Sequence, residues 1–136
     1  MKALVTGGAG FIGSHLCELL INQGHEVIAI DNLRCGRLSN VEPLNKSGRF
    51  KFIELDIRDN AGLKAKLPGD IEWVFHLAGM ADIVPSIENP REYYEVNVSG
   101  TFNMLEWSVQ NKVQRFVYAA SSSCYGLATE FPTPET

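Results

Sequence analysis

A glycine-rich segment around position 10 has the residue types and the spacing of a phosphate-binding turn. Residues 6–13 read TGGAGFIG, which satisfies T-G-x-x-G-x-x-G through Gly7, Gly10 and Gly13 and also satisfies G-x-G-x-x-G. A turn that admits a pyrophosphate against the main chain and starts a closely packed helix has no room for Cβ atoms. The helix start offers unpaired N–H groups to the phosphates. The segment predicts a dinucleotide site, and a turn that serves only the chain's geometry is the alternative.

An acidic residue at the end of the next apolar segment supports the dinucleotide interpretation. Asp31 closes residues 25–31, at about the spacing where a carboxylate binds the hydroxyls of an adenosine ribose. A carboxylate repels a 2′-phosphate, so the sequence favours NAD over NADP. Arg34 and Arg37 follow closely. Because an arginine accommodates a 2′-phosphate, they keep NADP open as an alternative.

The elements that must position these residues alternate between strands and helices. Short apolar, β-branched segments predict strands, and segments of helical pattern or composition separate them. Right-handed crossovers wind such units into a parallel sheet. We therefore expect an α/β fold, a Rossmann-type doubly wound parallel sheet that stops after its fifth strand. The predicted strands are 2–6, 25–31, 49–56, 72–79 and 114–123, and the predicted helices are 12–23, 60–67 and 90–112 apart from the interval 96–100.

Composition and charge exclude several classes of function. With 136 residues, 45% of them hydrophobic, the chain is expected to fold as one unit, 1–136. A net charge of -4 with interspersed signs gives no basic stripe, so we expect no nucleic-acid partner. No apolar stretch approaches the ~20 residues that span a bilayer, and a signal peptide is missing, which predicts a cytoplasmic protein without a membrane partner. The scattered cysteines and histidines predict neither disulfides nor a metal site.

Several motifs, in order along the chain, resemble the extended short-chain dehydrogenases/reductases. The similarity is greatest to the NAD-dependent epimerase/dehydratase family, which acts on nucleotide-activated sugars, and within it to the UDP-glucose 4-epimerase branch. It runs over essentially the whole chain. Besides the glycine segment, the motifs are DNL at 31–33, DIRD at 56–59, HLAG at 76–79, YYEVNVSGT at 93–101 and SSSCYG at 121–126.

The resemblance implies a cofactor site for NAD built from these motifs. Main-chain N–H groups at the start of the first helix would bind the pyrophosphate, and residues after the second strand would surround the adenosine ribose. Asp56 would accept from the adenine amino group, and Asn97 would steady the loop beneath the nicotinamide ribose. The implied cofactor-binding residues are Gly7, Gly10, Phe11, Ile12, Gly13, Asp31, Asn32, Gly36, Asp56, Ile57, Leu77, Ala78, Gly79 and Asn97.

Three polar residues in these motifs also have plainer interpretations. Aspartate is common in turns, so Asp56 also fits a simple strand end. Asn97 fits a helix cap or a helix break equally well. His76 ends an apolar strand, and we expect a packed histidine there rather than an acid or a base.

The chemistry that the resemblance implies is reversible oxidation of a sugar carbinol. Hydride leaves the sugar carbon for the nicotinamide, a base takes the hydroxyl proton, and in an epimerase the hydride returns to the opposite face of the ketone. Ser121 matches the catalytic serine or threonine that hydrogen-bonds the reacting oxygen, although a serine run also fits a polar loop. The family's base is the tyrosine of Tyr-x-x-x-Lys, which these 136 residues lack. We expect residues 1–136 to be the N-terminal NAD(P)-binding part of a longer protein, and inactive alone.

The expected function of the whole protein is NAD-dependent epimerisation of a nucleotide sugar, with 4-epimerisation of a nucleoside-diphosphate hexose favoured, in a homodimer. Ser122 and Ser123 stand where dehydratases carry acids, which disfavours dehydration. The loop at 80–90 lies near the substrate in the family, and Ala81 replaces a lysine of some epimerases, so uridine, guanosine and cytidine diphosphate sugars remain open. A reductase or dehydrogenase of the same family and a non-catalytic NAD(P)-binding sensor or subunit are the alternatives.

Overall fold

The sheet of the protein is parallel and has the strand order of a Rossmann fold. The computed structural model describes residues 1–127 and 130–134. Within them, the strands are β1 (Lys2–Thr6), β2 (Glu26–Asp31), β3 (Phe50–Glu54), β4 (Trp73–His76) and β5 (Arg115–Tyr118). Their spatial order is β3-β2-β1-β4-β5, so the sheet grows in one direction from β1 to β3 and in the other from β4 to β5. This confirms the predicted α/β, doubly wound architecture.

Helices cover both faces of this sheet. They are α1 (Phe11–Asn22), α2 (Asn60–Lys66), α3 (Ile83–Glu88), α4 (Pro90–Tyr94) and α5 (Thr101–Gln110), with a π-helical turn at Glu95–Gly100. The irregular interval predicted at 96–100 is therefore a π-helical turn that joins two helices. The segment 80–90, expected as a loop, contains α3. Pro85 is tolerated there because it stands in the first turn, where a backbone N–H has no partner within the helix.

Two hydrophobic layers, one on each face, bury the central strands. Leu4 points to a layer of large side chains that includes Trp107 and Met104, both fully buried. Its neighbours Ala3 and Val5 point to the opposite layer, beneath α1, because side chains alternate along a strand. Strands that are apolar on both sides belong to a sheet covered on both faces.

β1 and β2 end where the sequence predicts, but the other three strands end earlier than their apolar patterns predict. β3 ends at Glu54 instead of residue 56, β4 at His76 instead of 79, and β5 at Tyr118 instead of 123. For β4 the reason is that β1 turns away at Gly7, whose φ is +67°, so no strand lies beside the residues after His76. The loop residues that follow are therefore available at the carboxyl edge, where open α/β sheets bind ligands.

Candidate functional site

A cleft opens at the carboxyl edge of the sheet, beside the point where the strand order reverses. Most of the predicted cofactor-binding residues line it, and the exceptions are Phe11, Ile12, Gly13 and Asn97. The predicted residues in its wall are Gly7, Gly10, Asp31, Asn32, Gly36, Asp56, Ile57, Leu77, Ala78 and Gly79. Sequence reasoning assigned no place in it to Ile30, Cys35, Leu55, Met80 and Val96, which also line it.

The glycines of the turn after β1 have different reasons to be glycine. A Cβ on Gly13 would fall on the carbonyl group of Gly7, and a Cβ on Gly7 would lie 2.9 Å from the backbone nitrogen of Ala78. The chain's own packing therefore requires glycine at both positions. Gly10 differs, because its φ of -73° suits any residue and a Cβ there would meet only the Gly7 carbonyl oxygen, at 3.2 Å. The fold therefore constrains Gly10 less than Gly7 or Gly13, because a small shift would relieve that one contact, and Gly10 lines the cleft.

The first turn of α1 presents backbone donors beside this space. Gly10 donates its N–H to the carbonyl of Gly7 at 3.1 Å, but no hydrogen bond within residues 1–127 and 130–134 uses the N–H groups of Phe11, Ile12 and Gly13. Such groups at a helix start carry a partial positive charge and attract anions. The side chains of Phe11 and Ile12 are 79% and 68% exposed. Hydrophobic packing of these two residues therefore does not explain why the helix begins here.

The Asp31 carboxylate is fixed by two backbone donors. One oxygen accepts from the N–H of Ala9 at 3.1 Å and the other from the N–H of Leu33 at 2.8 Å. Gly36 lies directly behind it, since a Cβ on Gly36 would be 2.8 Å from both carboxylate oxygens. Each carboxylate oxygen has two lone pairs, so two acceptor sites remain for a ligand in the cleft.

The Asp56 carboxylate lies across the cleft from the glycine turn, two residues beyond the end of β3. It accepts from the backbone N–H, Nε and Nη2 of Arg58 at 2.8, 3.0 and 2.7 Å, and from Nδ2 of Asn32 at 2.8 Å. Hydrogen bonding from the Arg58 side chain lowers the pKa of Asp56 to about 2, although burial acts in the opposite direction. Asp56 is thus ionised and already paired, and it joins the loops after β2 and β3.

Asn97 holds the loop that follows β4. From the π-helical turn, its Oδ1 accepts from the N–H of Met80 and its Nδ2 donates to the carbonyl of Met80, each at 2.8 Å. Neither bond caps a helix. The side chain works instead as a two-point clamp, which keeps the backbone from Leu77 to Met80 in the wall of the cleft.

A buried polar chain beneath the cleft was not predicted in full. The hydroxyl oxygen of Thr6 accepts from the N–H groups of Leu77 and Ala78, at 3.2 and 3.1 Å. Its proton is then directed to Nδ1 of His76 at 2.8 Å, and Nε2–H of His76 donates to Oγ1 of Thr101 at 2.9 Å. Burial lowers the pKa of His76 to about 4. The neutral, packed histidine thus links β1, β4 and α5. No local sequence pattern predicts that Thr6 and Thr101 are its hydrogen-bond partners.

Ser121 lies at the same edge of the sheet, three residues beyond the end of β5. Its carbonyl accepts from the N–H of Cys124 at 3.2 Å, within the 3₁₀ turn Ser122–Tyr125. It is exposed and does not belong to the wall of the cleft. The predicted catalytic serine therefore lies outside the set of residues that line the cleft.

The described part of the chain contains neither a membrane-spanning helix nor a metal-binding cluster. None of its helices combines the length and the apolar character that a membrane span requires. Residues 1–127 and 130–134 hold no group of three or more histidine, cysteine, aspartate or glutamate side chains arranged for a metal ion. Of the cysteines, Cys17 is buried, and its burial raises the pKa of the thiol to about 12, whereas Cys35 is exposed in the cleft.

Comparison with known proteins gives consistent matches. The sequence profile of the NAD dependent epimerase/dehydratase family matches residues 3–136. A UDP-glucose 4-epimerase of Klebsiella pneumoniae is 39% identical over 140 residues, which cover 100% of this chain and 100% of that protein. A CDP-paratose 2-epimerase of Salmonella typhi is 39% identical over 139 residues and is covered to 41% of its length by 100% of this chain.

The fold comparison agrees. The crystal structure of UDP-glucose-4-epimerase from Stenotrophomonas maltophila, with bound NAD and formylated UDP-arabinopyranose, matches with a TM-score of 0.90 at 36% identity. The match covers 100% of this chain and 41% of that one. The chain therefore spans about two fifths of the length of that enzyme and of the paratose epimerase. What these comparisons establish concerns the family and the fold of the 136 residues.

Proposed function

Because the chain belongs to the NAD-dependent epimerase/dehydratase family, we propose that residues 1–136 are the NAD-binding part of an enzyme that epimerises nucleotide sugars. One observation carries the proposal. The space in front of Gly10 and the fixed carboxylate of Asp31 face the same cleft. A ligand in the cleft would give position 10 a stronger reason to be glycine than the single 3.2 Å contact within the chain does. The NAD bound to the relative from Stenotrophomonas maltophila supports this use of the cleft.

The residues present fit the parts of NAD. The unused N–H groups of Phe11 and Ile12 suit a pyrophosphate, because a helix start attracts anions. The two remaining acceptor sites of Asp31 suit the hydroxyls of the adenosine ribose. Asp56, with Ile57, is proposed for the adenine, whose amino group would share oxygens that already accept from Arg58 and Asn32.

The nicotinamide end of the cofactor is proposed to lie along the loop after β4. Leu77, Ala78 and Gly79 line the cleft there, and Asn97 holds their backbone through Met80. NAD would supply the acceptance and return of hydride. The chain's own part is to bind and orient it: the glycine turn, Asp31 and the clamped loop are tied to β1, β2 and β4, which fixes where each part of the cofactor lies.

The proton chemistry requires residues other than these. We propose that Ser121 hydrogen-bonds the reacting oxygen of the sugar, from its turn beyond β5. The 136 residues contain no Tyr-x-x-x-Lys. His76 does not replace that base, because it is buried, hydrogen-bonded at both ring nitrogens and neutral. The base is therefore proposed to lie in polypeptide outside these residues, as the greater length of the Stenotrophomonas maltophila and Salmonella typhi relatives suggests.

The favoured reaction is 4-epimerisation of a nucleoside-diphosphate hexose by transient oxidation to a keto sugar. The relative from Klebsiella pneumoniae is a UDP-glucose 4-epimerase, which supports C4 of the sugar as the carbon that is inverted. The Salmonella typhi relative is a CDP-paratose 2-epimerase with the same identity to this chain, so similarity over these residues does not select the nucleotide or the carbon. A homodimer is part of the proposal, and the exposed apolar side chains of Val98, Phe102 and Val109 support it.

The test is to assay the product of the complete gene with UDP-, CDP- and GDP-hexoses and NAD. Inversion at C4 should be followed by proton NMR, with substrate that carries deuterium at C4. Transient oxidation predicts that the product keeps the deuterium and that NADH does not accumulate. Steady formation of NADH would mean a dehydrogenase, and washout of deuterium into water would contradict hydride return. Ser121→Ala tests the proposed role of the serine: it should lower turnover by ~10²-fold, while NAD affinity stays unchanged.

A further inference from the structure

The first basic side chain beyond Asp31 is not free to meet a ligand. Arg34 lies in the loop after β2 and lines the cleft, and its Nη1 forms an ion pair and hydrogen bond with Oε1 of Glu92 in α4. The side chain of Glu92 is only 21% exposed, compared with 45% for Arg34. The pair joins the loop after β2 to α4, across 58 positions of the chain.

Glu92 is itself held in place for this contact. Its second oxygen, Oε2, accepts from Nδ2 of Asn89 at 3.0 Å. Glu92 also stands in the first turn of α4, where the helix dipole favours a carboxylate. Arg34 is oriented from its own side, because its backbone N–H donates to Oδ1 of Asn32 at 3.1 Å. Both partners are thus positioned before any ligand binds.

We propose that Glu92 is a specificity-determining residue of the cofactor site, which acts by holding Arg34 away from the 2′-position of the adenosine ribose. The inference rests on the proposed binding of NAD next to Asp31. A 2′-phosphate there needs a cation to offset the Asp31 carboxylate. To supply one, Arg34 has to leave Glu92, which breaks the ion pair and leaves this mostly covered carboxylate with the hydrogen bond from Asn89 and only the more distant charge of Arg58. Glu92 therefore competes with the phosphate of NADP and leaves NAD unaffected.

Two neighbouring residues allow this mechanism to be separated from a general change in charge. Glu95 also belongs to this region, one helical turn after Glu92, but pairs with Arg91 at 2.9 Å instead of with Arg34. Its removal subtracts the same charge without releasing Arg34. Arg37 is exposed in the same loop, and no ion pair among the described residues includes it. It remains unchanged in every variant, so any contribution it makes to NADP binding cancels.

The experiment measures dissociation constants for NAD and NADP by calorimetry on the product of the complete gene. The variants are Glu92→Gln, Glu95→Gln, Arg34→Gln and the double variant Arg34→Gln with Glu92→Gln, each checked by circular dichroism and thermal melting. Glu92→Gln should raise the affinity for NADP relative to NAD about tenfold. Glu95→Gln should change that ratio less than about twofold. In the Arg34→Gln background, the Glu92 substitution should no longer change the ratio.

Any other outcome contradicts either the proposed function or the role of Glu92. If the parent binds neither dinucleotide, the proposed function fails, and the inference fails with it. If the parent binds NAD but Glu92→Gln leaves the ratio unchanged, the inference alone fails. It also fails if Glu95→Gln has an equal effect, or if the effect of Glu92→Gln persists without Arg34. Should Glu92→Gln melt much earlier than the parent, Glu92→Ser is measured in its place, with the same expected change and the same criteria.

Discussion

The backbone N–H of Ala9 donates a hydrogen bond to the Asp31 carboxylate at 3.1 Å, across 22 positions of the chain. Ala9 belongs to the glycine turn after β1, and Asp31 is the last residue of β2. The bond therefore joins the part of the cleft proposed for the pyrophosphate to the part proposed for the adenosine ribose. A substitution at Asp31 acts on both parts of the site at once, through a lost charge and through a weakened link to the turn.

We predict that Asp31→Asn weakens the binding of NAD at least about tenfold and raises the affinity ratio of NADP to NAD. An asparagine retains one acceptor oxygen, but it loses the charge that strengthens bonds from ribose hydroxyls and repels a 2′-phosphate. Calorimetry with both dinucleotides measures the ratio. Asp70→Asn is the control, because Asp70 is an exposed acid paired with Lys2, outside the cleft. An unchanged ratio in Asp31→Asn would remove Asp31 from cofactor selection.

We predict that Gly10→Ala and Gly13→Ala fail in different ways. At Gly10 a Cβ would meet only the Gly7 carbonyl oxygen, at 3.2 Å, which a small shift relieves. The variant should therefore melt close to the parent and lose NAD affinity about a hundredfold, because the methyl group enters the ligand's space. At Gly13 a Cβ would fall on the Gly7 carbonyl, so the variant should lose about 1–3 kcal/mol of stability. Thermal unfolding without ligand and calorimetry with NAD measure the two effects. Full NAD affinity in a folded Gly10→Ala protein would show that Gly10 serves only the geometry of the turn and not ligand binding.

The parts of the molecule that local patterns encode were predictable from sequence. The order of strand, glycine turn, helix and acidic strand end depends on neighbouring residues, and it led to the correct fold. It also placed Gly10 and Asp31 in one cleft, because the carboxyl ends of adjacent parallel strands β1 and β2 meet at the same edge of the sheet. The family resemblance added the loop after β4, whose Leu77 and Gly79 do line the cleft.

The parts that sequence did not predict depend on distant partners. The strands end where a neighbouring strand ends, as β4 does after Gly7 turns β1 away, and an apolar pattern does not record where its neighbour stops. Thr6 and His76 are 70 positions apart, and Arg34 and Glu92 are 58 positions apart. Each such contact is a single polar pair without periodicity, so nothing in either segment alone distinguishes it from an exposed polar residue.

We predict that ADP-ribose protects Cys35 from alkylation. Cys35 is exposed in the wall of the cleft, beside the residues proposed for the adenosine ribose. With ligand bound, its reaction with iodoacetamide should slow about tenfold, because reagent access requires the ligand to leave. Cys124 is exposed outside the cleft wall and should react at the same rate with and without ligand. Cys17 should stay unmodified, since burial raises its pKa to about 12. Mass spectrometry of the product of the complete gene follows all three, and equal rates at Cys35 would contradict its place in the site.

We predict that His76 makes the protein less stable as the pH falls from 6.5 to 4. Burial lowers the pKa of His76 from 6.5 to about 4, so in this window the unfolded chain takes up a proton that the folded chain does not. The stability that the neutral histidine contributes is complete above pH 6.5 and is lost by pH 4, by up to about 3 kcal/mol. Asp56, whose pKa is lowered to about 2 from 3.8, loses its contribution only below that window.

Denaturant unfolding between pH 7 and pH 4 measures this dependence. His76→Gln should be less stable than the parent at pH 7, because its bonds to Thr6 and Thr101 are disturbed, but its stability should fall less steeply with pH. His15→Gln is the control, because it removes an exposed histidine and leaves His76 in place. Parallel curves for the parent and His76→Gln would show that burial of this ring does not set the pH dependence.

The last prediction concerns residues 1–136 expressed alone, which should show no epimerase, dehydrogenase or dehydratase turnover. They lack Tyr-x-x-x-Lys. Loss of proton transfer alone removes ~10²–10⁴ in rate, and loss of substrate positioning removes more. They should also associate with one another and bind NAD only weakly, because apolar surface stays exposed. Tyr118 lies on β5, the strand at one edge of the described sheet, and is 53% exposed. Phe102 and Val109 on α5 are 63% and 78% exposed. Light scattering and assays with UDP-sugars and NAD test both expectations beside the product of the complete gene. Turnover by a monodisperse preparation would place the base within these residues and would contradict the proposed division of the site.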